Sequence, residues 1–133
     1  MFSIHQHSKS MKNSQSSSMN KIIDKPWGHE EIIAHTDKYV MKKLVIKAGH
    51  RLSKQFHIKK DETIYVSKGF LLLDLSDDPD DCNILKLQEG KSWRIMPKTI
   101  HRFTAPPDQD IELFEVSTPE LDDVVRLSDD YGR

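Results

Sequence analysis

One glutamine, two histidines and one glutamate are the side chains in this sequence whose types and spacing could hold a divalent cation. Gln55 and His57 stand two residues apart, so in an extended strand both project to one face. The segment Ile58–Asp61 can turn the chain, and Glu62 then opens a second strand facing the same point. His101, just after Pro97 in the run Ile100-His101-Arg102-Phe103, offers a fourth donor. An amide oxygen, two imidazoles and a carboxylate make a reasonable set of ligands for a divalent ion. With one carboxylate in the set, a divalent ion leaves the site near +1, suited to a sugar hydroxyl or a developing enediolate. Either histidine alone reads as a polar side chain on a half-buried strand; all four residues together favour the metal.

The elements that must position them fit one domain. The chain has 133 residues, 36% hydrophobic and 31% charged, enough for one compact core. Its formal charge of −1 argues against a bulk electrostatic grip on nucleic acid or a membrane surface. No run approaches the roughly eighteen apolar residues of a membrane span, and the N-terminus has no apolar segment of the signal-peptide kind. A lone Cys82, in what reads as an exposed loop, excludes an internal disulfide and fits a reducing compartment. The expectation is a soluble, cytoplasmic protein.

Residues 1–20 hold seven serines and no acid, and their only charges are Lys9 and Lys12. Such a stretch buries too little apolar surface to offset its ordering entropy, so a disordered tail is expected, with the His5-x-His7 pair incidental. From Lys21 to Arg133 the chain reads as strands. Short apolar or alternating runs recur at Leu44–Ile46, Ile64–Val66, Phe70–Leu75, Ile84–Leu87, Trp93–Met96 and Ile111–Val116. Turn residues separate them, at Gly49, Gly69, Asp77–Asp81, Gly90 and Pro106-Pro107. That punctuation predicts an all-β sandwich or barrel. Residues 38–60 carry eight Lys/Arg and no acid, whereas residues 106–133 carry nine acids against Arg126 and Arg133. The two segments are expected to pair in the fold or between subunits, unless part of the basic one lines an anion site. Trp27 and Trp93 read as core or rim packing, and His50 as solvated.

Gly49, Gln55-Phe56-His57, Glu62 and Gly69 reproduce the spacing of the first cupin motif, with Gln in place of its first His. Leu52-Ser53-Lys54-Gln55-Phe56-His57 resembles the L-S-x-Q-x-H of the C-terminal cupin domain of type II mannose-6-phosphate isomerases. Lys25-Pro26-Trp27-Gly28 is similar to the R-P-W-G that opens that domain. Asp122–Arg126 and Asp130–Arg133 are similar to its closing motifs. The resemblance implies a cupin barrel, a double-stranded β-helix or jelly roll, over residues 21–133 and a divalent metal (Zn, Mn, Co, Ni or Fe) on Gln55, His57, Glu62 and His101. It implies interconversion of mannose 6-phosphate and fructose 6-phosphate through an enediol(ate), feeding nucleotide-sugar and polysaccharide synthesis. Lys60 stands where the family has an arginine and is the candidate for stabilising or transferring charge. Arg133 and Arg51 are candidates for the phosphate, and Arg133 also for catalysis.

Two departures bear on this. The aromatic after the glutamate motif is missing, and Met96-Pro97-Lys98-Thr99-Ile100-His101 is one residue shorter than the family's second motif and lacks its glycine. Other readings are a metal cupin with dioxygenase or nucleotide-sugar epimerase chemistry, or a non-catalytic carbohydrate-binding module. Such barrels commonly dimerise through an edge strand, so a homodimer is expected.

Overall fold

The computed structural model describes residues 20–133. The serine-rich stretch, its expected disorder and the His5-x-His7 pair lie outside the described residues, Asn20 excepted. Eleven strands follow in order: β1 Lys21–Lys25, β2 Gly28–His35, β3 Val40–Ile46, β4 Lys54–Phe56, β5 Glu62–Lys68, β6 Leu71–Ser76, β7 Ile84–Leu87, β8 Ser92–Ile95, β9 Ile100–Thr104, β10 Ile111–Ser117 and β11 Val125–Ser128. They form a six-stranded sheet, ordered β1-β2-β3-β10-β5-β8, and a five-stranded sheet, ordered β11-β4-β9-β6-β7. Among the described residues no helix is long and apolar enough to cross a membrane.

Period-two alternation decides what faces the space between the sheets. On β3 the buried side chains are Val40, Lys42, Leu44 and Ile46; on β10 they are Ile111, Leu113, Glu115 and Ser117; on β5 they are Glu62, Ile64 and Val66. The register pairs Leu44 with Leu113 and Ile46 with Ile111, but Lys42 with Glu115 and Ser117 with Glu62. One inner face therefore changes from aliphatic at one end to charged at the other. The aliphatic end packs against Leu71, Leu73, Leu87 and Phe103 of the smaller sheet and against Trp27. Each such fully buried side chain contributes about 1.5–3 kcal/mol. The charged end is where the site lies.

Trp27 is core, as expected, while Trp93 on the edge strand β8 is 41% exposed. Gly28, the last residue of the Trp-Gly pair, has φ +151°, and a Cβ there would lie 1.9 Å from the carbonyl oxygen of Val45, so only glycine lets β2 approach β3 at this point. The basic and acidic segments do pair within the fold. Lys43 contacts Glu112 at 3.8 Å, Arg51 forks onto Asp130 at 2.7 and 2.8 Å, and Lys60 meets Glu115 at 3.1 Å.

Candidate metal centre

His57 lies one residue past β4, Glu62 opens β5, and His101 is the second residue of β9. All are buried, and His57, Glu62 and His101 each present a donor atom within 4.8 Å of the others. His57 Nε2 is 3.3 Å from Glu62 Oε2, and His101 Nε2 is 3.7 Å from Glu62 Oε1. The opposite ring nitrogens are engaged by backbone carbonyls: His57 Nδ1 to Asp123 O at 2.5 Å, and His101 Nδ1 to Thr99 O at 2.8 Å. A carbonyl only accepts, so these bonds assign the ring proton to Nδ1 and leave the Nε2 lone pairs facing the carboxylate. Electron-rich atoms packed so closely need a proton or a cation among them. Ligand bonds of about 2.1 Å place neighbouring donors roughly 3–4 Å apart, as here. The residues fit a divalent metal.

Glu62 Oε2 carries the same message. It is fully buried and no well-directed hydrogen bond reaches it from any described residue, although the Lys60 ammonium lies 3.2 Å away. The directed hydrogen bond of Lys60 goes to Glu115 Oε2, at 3.1 Å. Burial opposes the charge of Lys60, but the carboxylates of Glu115 and Glu62 outweigh it and raise its pKa above that of a free lysine. Burial pushes Glu62 up, yet the His57 ring and then the Lys60 ammonium outweigh this and hold its pKa below the ordinary carboxylate range. For His101 burial prevails over the pull of Glu62, lowering its pKa and favouring the neutral, ligating form. Burial and then the charge of Glu62 push Glu115 above the ordinary carboxylate range, against Lys60 and Lys42.

These groups line a cavity of about 470 Å³ between the sheets, within the range of small-molecule sites. Gln55 lines it too, paired across the strands with His101, and its amide nitrogen reaches the carbonyl of Ser53 at 3.5 Å. All four expected ligands thus share one cavity, three of them as a tight cluster. Lys60 is buried inside it, unlike the exposed Lys59 beside it. Arg133 lines the rim with its guanidinium on Asp129 at 3.1 Å. Arg51 does not line the cavity; its fork is spent on Asp130.

The shortened second motif reaches the cluster by another route. Lys98 takes φ 70°, the left-handed conformation a glycine would otherwise supply. Its N–H donates to the carbonyl of His57 at 2.6 Å, and the next residue, Thr99, offers the carbonyl that His101 uses. Sequence reading passed over Glu115, Lys42, Glu30 and Ser53, all of which line the cavity. The signal was present in strand alternation, because Glu115 shares a face with Leu113, and Lys42 with Leu44.

Two antiparallel sheets closing over a buried His/Glu/His cluster give the chain the fold of a cupin. A crystallised RmlC-like cupin from Shewanella frigidimarina superposes with a TM-score of 0.65 at 17% identity, covering 80% of this chain and 89% of that one. The family model described as Mannose-6-phosphate isomerase C-terminal matches residues 12–129, and the chain belongs to that family. Among curated relatives, a mannose-1-phosphate guanylyltransferase of Escherichia coli K12 is 32% identical over 118 residues, 86% of this chain and 24% of the relative. The xanthan biosynthesis protein XanB of Xanthomonas campestris is 31% identical over 114 residues, 84% of this chain and 23% of the relative. This chain therefore spans about a quarter of the length of the curated relatives it matches.

Proposed function

We propose that this protein is a metal-dependent sugar-phosphate isomerase that interconverts mannose 6-phosphate and fructose 6-phosphate. The observation that carries the reading is the charge of the cavity. Six cations (Lys21, Lys25, Lys42, Lys60, Arg126 and Arg133) face four carboxylates (Glu30, Glu62, Glu115 and Asp122), an excess of two positive charges in a chain of net charge −1. Such a cavity selects an anion. Among the described residues Lys21 and Arg126 form no ion pair, which leaves them with Arg133 as the groups to hold a phosphate at the mouth.

His57, Glu62 and His101, with Gln55 beside them, would hold the metal, which when bound polarises the carbonyl and hydroxyl oxygens of an open-chain sugar. The remaining work falls to the chain's own groups. Lys60 stays charged and stabilises negative charge as it develops on the substrate oxygen. Glu115, the second buried carboxylate, carries the proton between adjacent carbons. The Ser53 hydroxyl is buried at the cavity without a hydrogen-bond partner among the described residues, and meets a sugar hydroxyl. The product would feed polysaccharide precursors in the cytoplasm, in line with the biosynthetic name of the Xanthomonas relative. A second copy of the chain, docked on an open sheet edge, is the expected partner.

Metal content after purification, followed by turnover of mannose 6-phosphate with Mg, Mn, Zn, Co, Ni or Fe restored singly, tests this. The expected result is turnover that vanishes with chelation and returns with one or more ions. Bound metal without turnover would remove the isomerase reading. A second reading, a non-catalytic carbohydrate-binding module, is favoured by one contact: the Lys60 ammonium beside Glu62 already supplies positive charge where an ion would. Absence of any bound metal would leave that reading standing.

A further inference from the structure

We propose that Asp123 is a positioning residue for the metal centre, gripping the turn between β4 and β5 together with the ring of His57. Its Oδ1 accepts the N–H of Ile58 at 3.0 Å, and its Oδ2 accepts those of Lys59 at 2.6 Å and Lys60 at 2.9 Å. Its backbone oxygen accepts the Nδ1–H of His57 at 2.5 Å. Four consecutive residues, from one metal-ligand candidate almost to the next, are thus tied to a single aspartate more than sixty positions further along the chain. Asp123 itself contributes nothing to the cavity lining, though Asp122 and Val124 do.

The chemistry explains why a carboxylate stands here. The turn leaves three successive N–H groups pointing one way with no strand partner, and backbone donors left unpaired are costly. One ionised carboxylate satisfies all of them through charge-assisted bonds. Directly after Asp123, β11 pairs back onto β4, Val125 opposite Phe56, so the grip is held from both ends. The bond to His57 fixes which ring nitrogen keeps its lone pair and where that lone pair points. Such supporting contacts are worth about 10- to 100-fold in metal affinity.

The inference rests on the metal reading, and two measurements on the full chain separate the two. Titration with Co2+, followed by its d–d absorption, is expected to show Asp123→Ala binding about 10- to 100-fold more weakly than wild type. Asp130→Ala, which frees the same C-terminal segment from Arg51 without touching the turn, should bind within twofold. Asp123→Ala keeps the backbone oxygen that His57 uses but loses the carboxylate bonds that hold it beside the ring. In metal-free protein, amide exchange at Ile58, Lys59 and Lys60 should therefore quicken, and 15N spectra should show His57 as one Nδ1–H tautomer in wild type and as a mixture in Asp123→Ala, because the displaced carbonyl no longer meets the ring. Wild-type affinity together with an unchanged tautomer in Asp123→Ala overturns the proposal, as does equal weakening by Asp130→Ala. If Asp123→Ala does not fold, Asp123→Asn, which keeps one acceptor oxygen, should show the same changes to a smaller degree, and no change there overturns it. If wild type binds no Co2+, the metal reading fails, and the tautomer and exchange data alone decide the role of Asp123.

Discussion

Replacing Lys60 with methionine separates what the ammonium does for the fold from what it does to the metal. In the native cavity Lys60 lies 3.1 Å from Glu115 and 3.2 Å from Glu62. At an effective dielectric of about 20, each contact is worth roughly 5 kcal/mol of gross Coulomb energy. Desolvation of all the partners cancels most of that, but removing one member of a buried set costs about 3–5 kcal/mol, because the remaining charges stay buried and uncompensated. Lys60→Met keeps the length of the aliphatic stem and leaves Glu62 and Glu115 without their shared cation. For a domain of this size the loss corresponds to a Tm drop of roughly 10–20 °C in the presence of chelator. The double variant Lys60→Met/Glu115→Gln removes a carboxylate as well and should recover at least half of it. Divalent ion should then stabilise Lys60→Met more than wild type, since the ion no longer meets an ammonium beside Glu62. At a hundredfold excess over Kd, ligation alone contributes about 2.7 kcal/mol. Turnover, by contrast, should fall in both variants. Urea and thermal unfolding with and without Zn2+ or Co2+ measure all of this. A Lys60→Met protein as stable as wild type in chelator, or a double variant no better than the single one, would refute the reasoning.

Further outcomes follow from individual contacts. Ser53→Ala removes a buried hydroxyl that has no partner, so the ligand-free protein should unfold at the same or a slightly higher temperature while KM for the sugar phosphate rises several-fold; calorimetry and steady-state kinetics read the two effects. Arg126→Ala should raise KM at least tenfold, whereas Arg51→Ala, whose partner is Asp130 outside the cavity, should leave KM within twofold. Gly28→Ala should destabilise by about 2 kcal/mol or more, because the new Cβ meets a backbone oxygen at 1.9 Å that cannot move without breaking the β2–β3 pairing. The hydrogen bond from Arg51 holds Asp130 below its ordinary 3.8. A depressed carboxylate adds stability above its unfolded value and loses it as pH falls through the folded one. Release of the C-terminal segment, followed by exchange of its amides, should therefore begin only below about pH 4.

Much of this site could be read from sequence because three of its four candidate ligands lie within eight residues of one another. Gln55 and Glu62 lie on two strands joined by a short turn with His57 just past the first of them, and two-residue spacing is enough to aim the first pair. The strand runs at Leu44–Ile46, Ile64–Val66, Ile84–Leu87 and Ile111–Val116 all fall within β3, β5, β7 and β10, since alternation is set by burial on one face. The hairpin of β1 and β2 gave no comparable signal: its inward side chains include Glu30, which lines the cavity, and Ile22 faces solvent at 63% exposure. Arg51 could not be placed because a basic residue near the ligands in sequence can point to either side of a sheet, and only Asp130, far along the chain, shows which. The grip of Asp123 was likewise beyond reach, being a contact across more than sixty residues.

Lys98 shows how a family motif can be shortened without losing its geometry. A glycine in that motif takes the left-handed conformation at no steric cost, which lets the chain reverse before the last histidine. Here one residue fewer makes the same reversal, and a lysine must occupy the left-handed region at a cost of about 1–2 kcal/mol. The turn is held by what it binds: its N–H meets the carbonyl of His57, and the Thr99 carbonyl that follows takes the ring proton of His101. The strained residue thus links the backbone of one candidate ligand to the side-chain orientation of another. Asp123 does the same for His57 from the opposite direction. The two histidines are not held by packing alone but by a continuous run of bonds to the backbone, from Asp123 to His57 to Lys98 to Thr99 to His101. A loss at either end of that run should therefore loosen both imidazoles together.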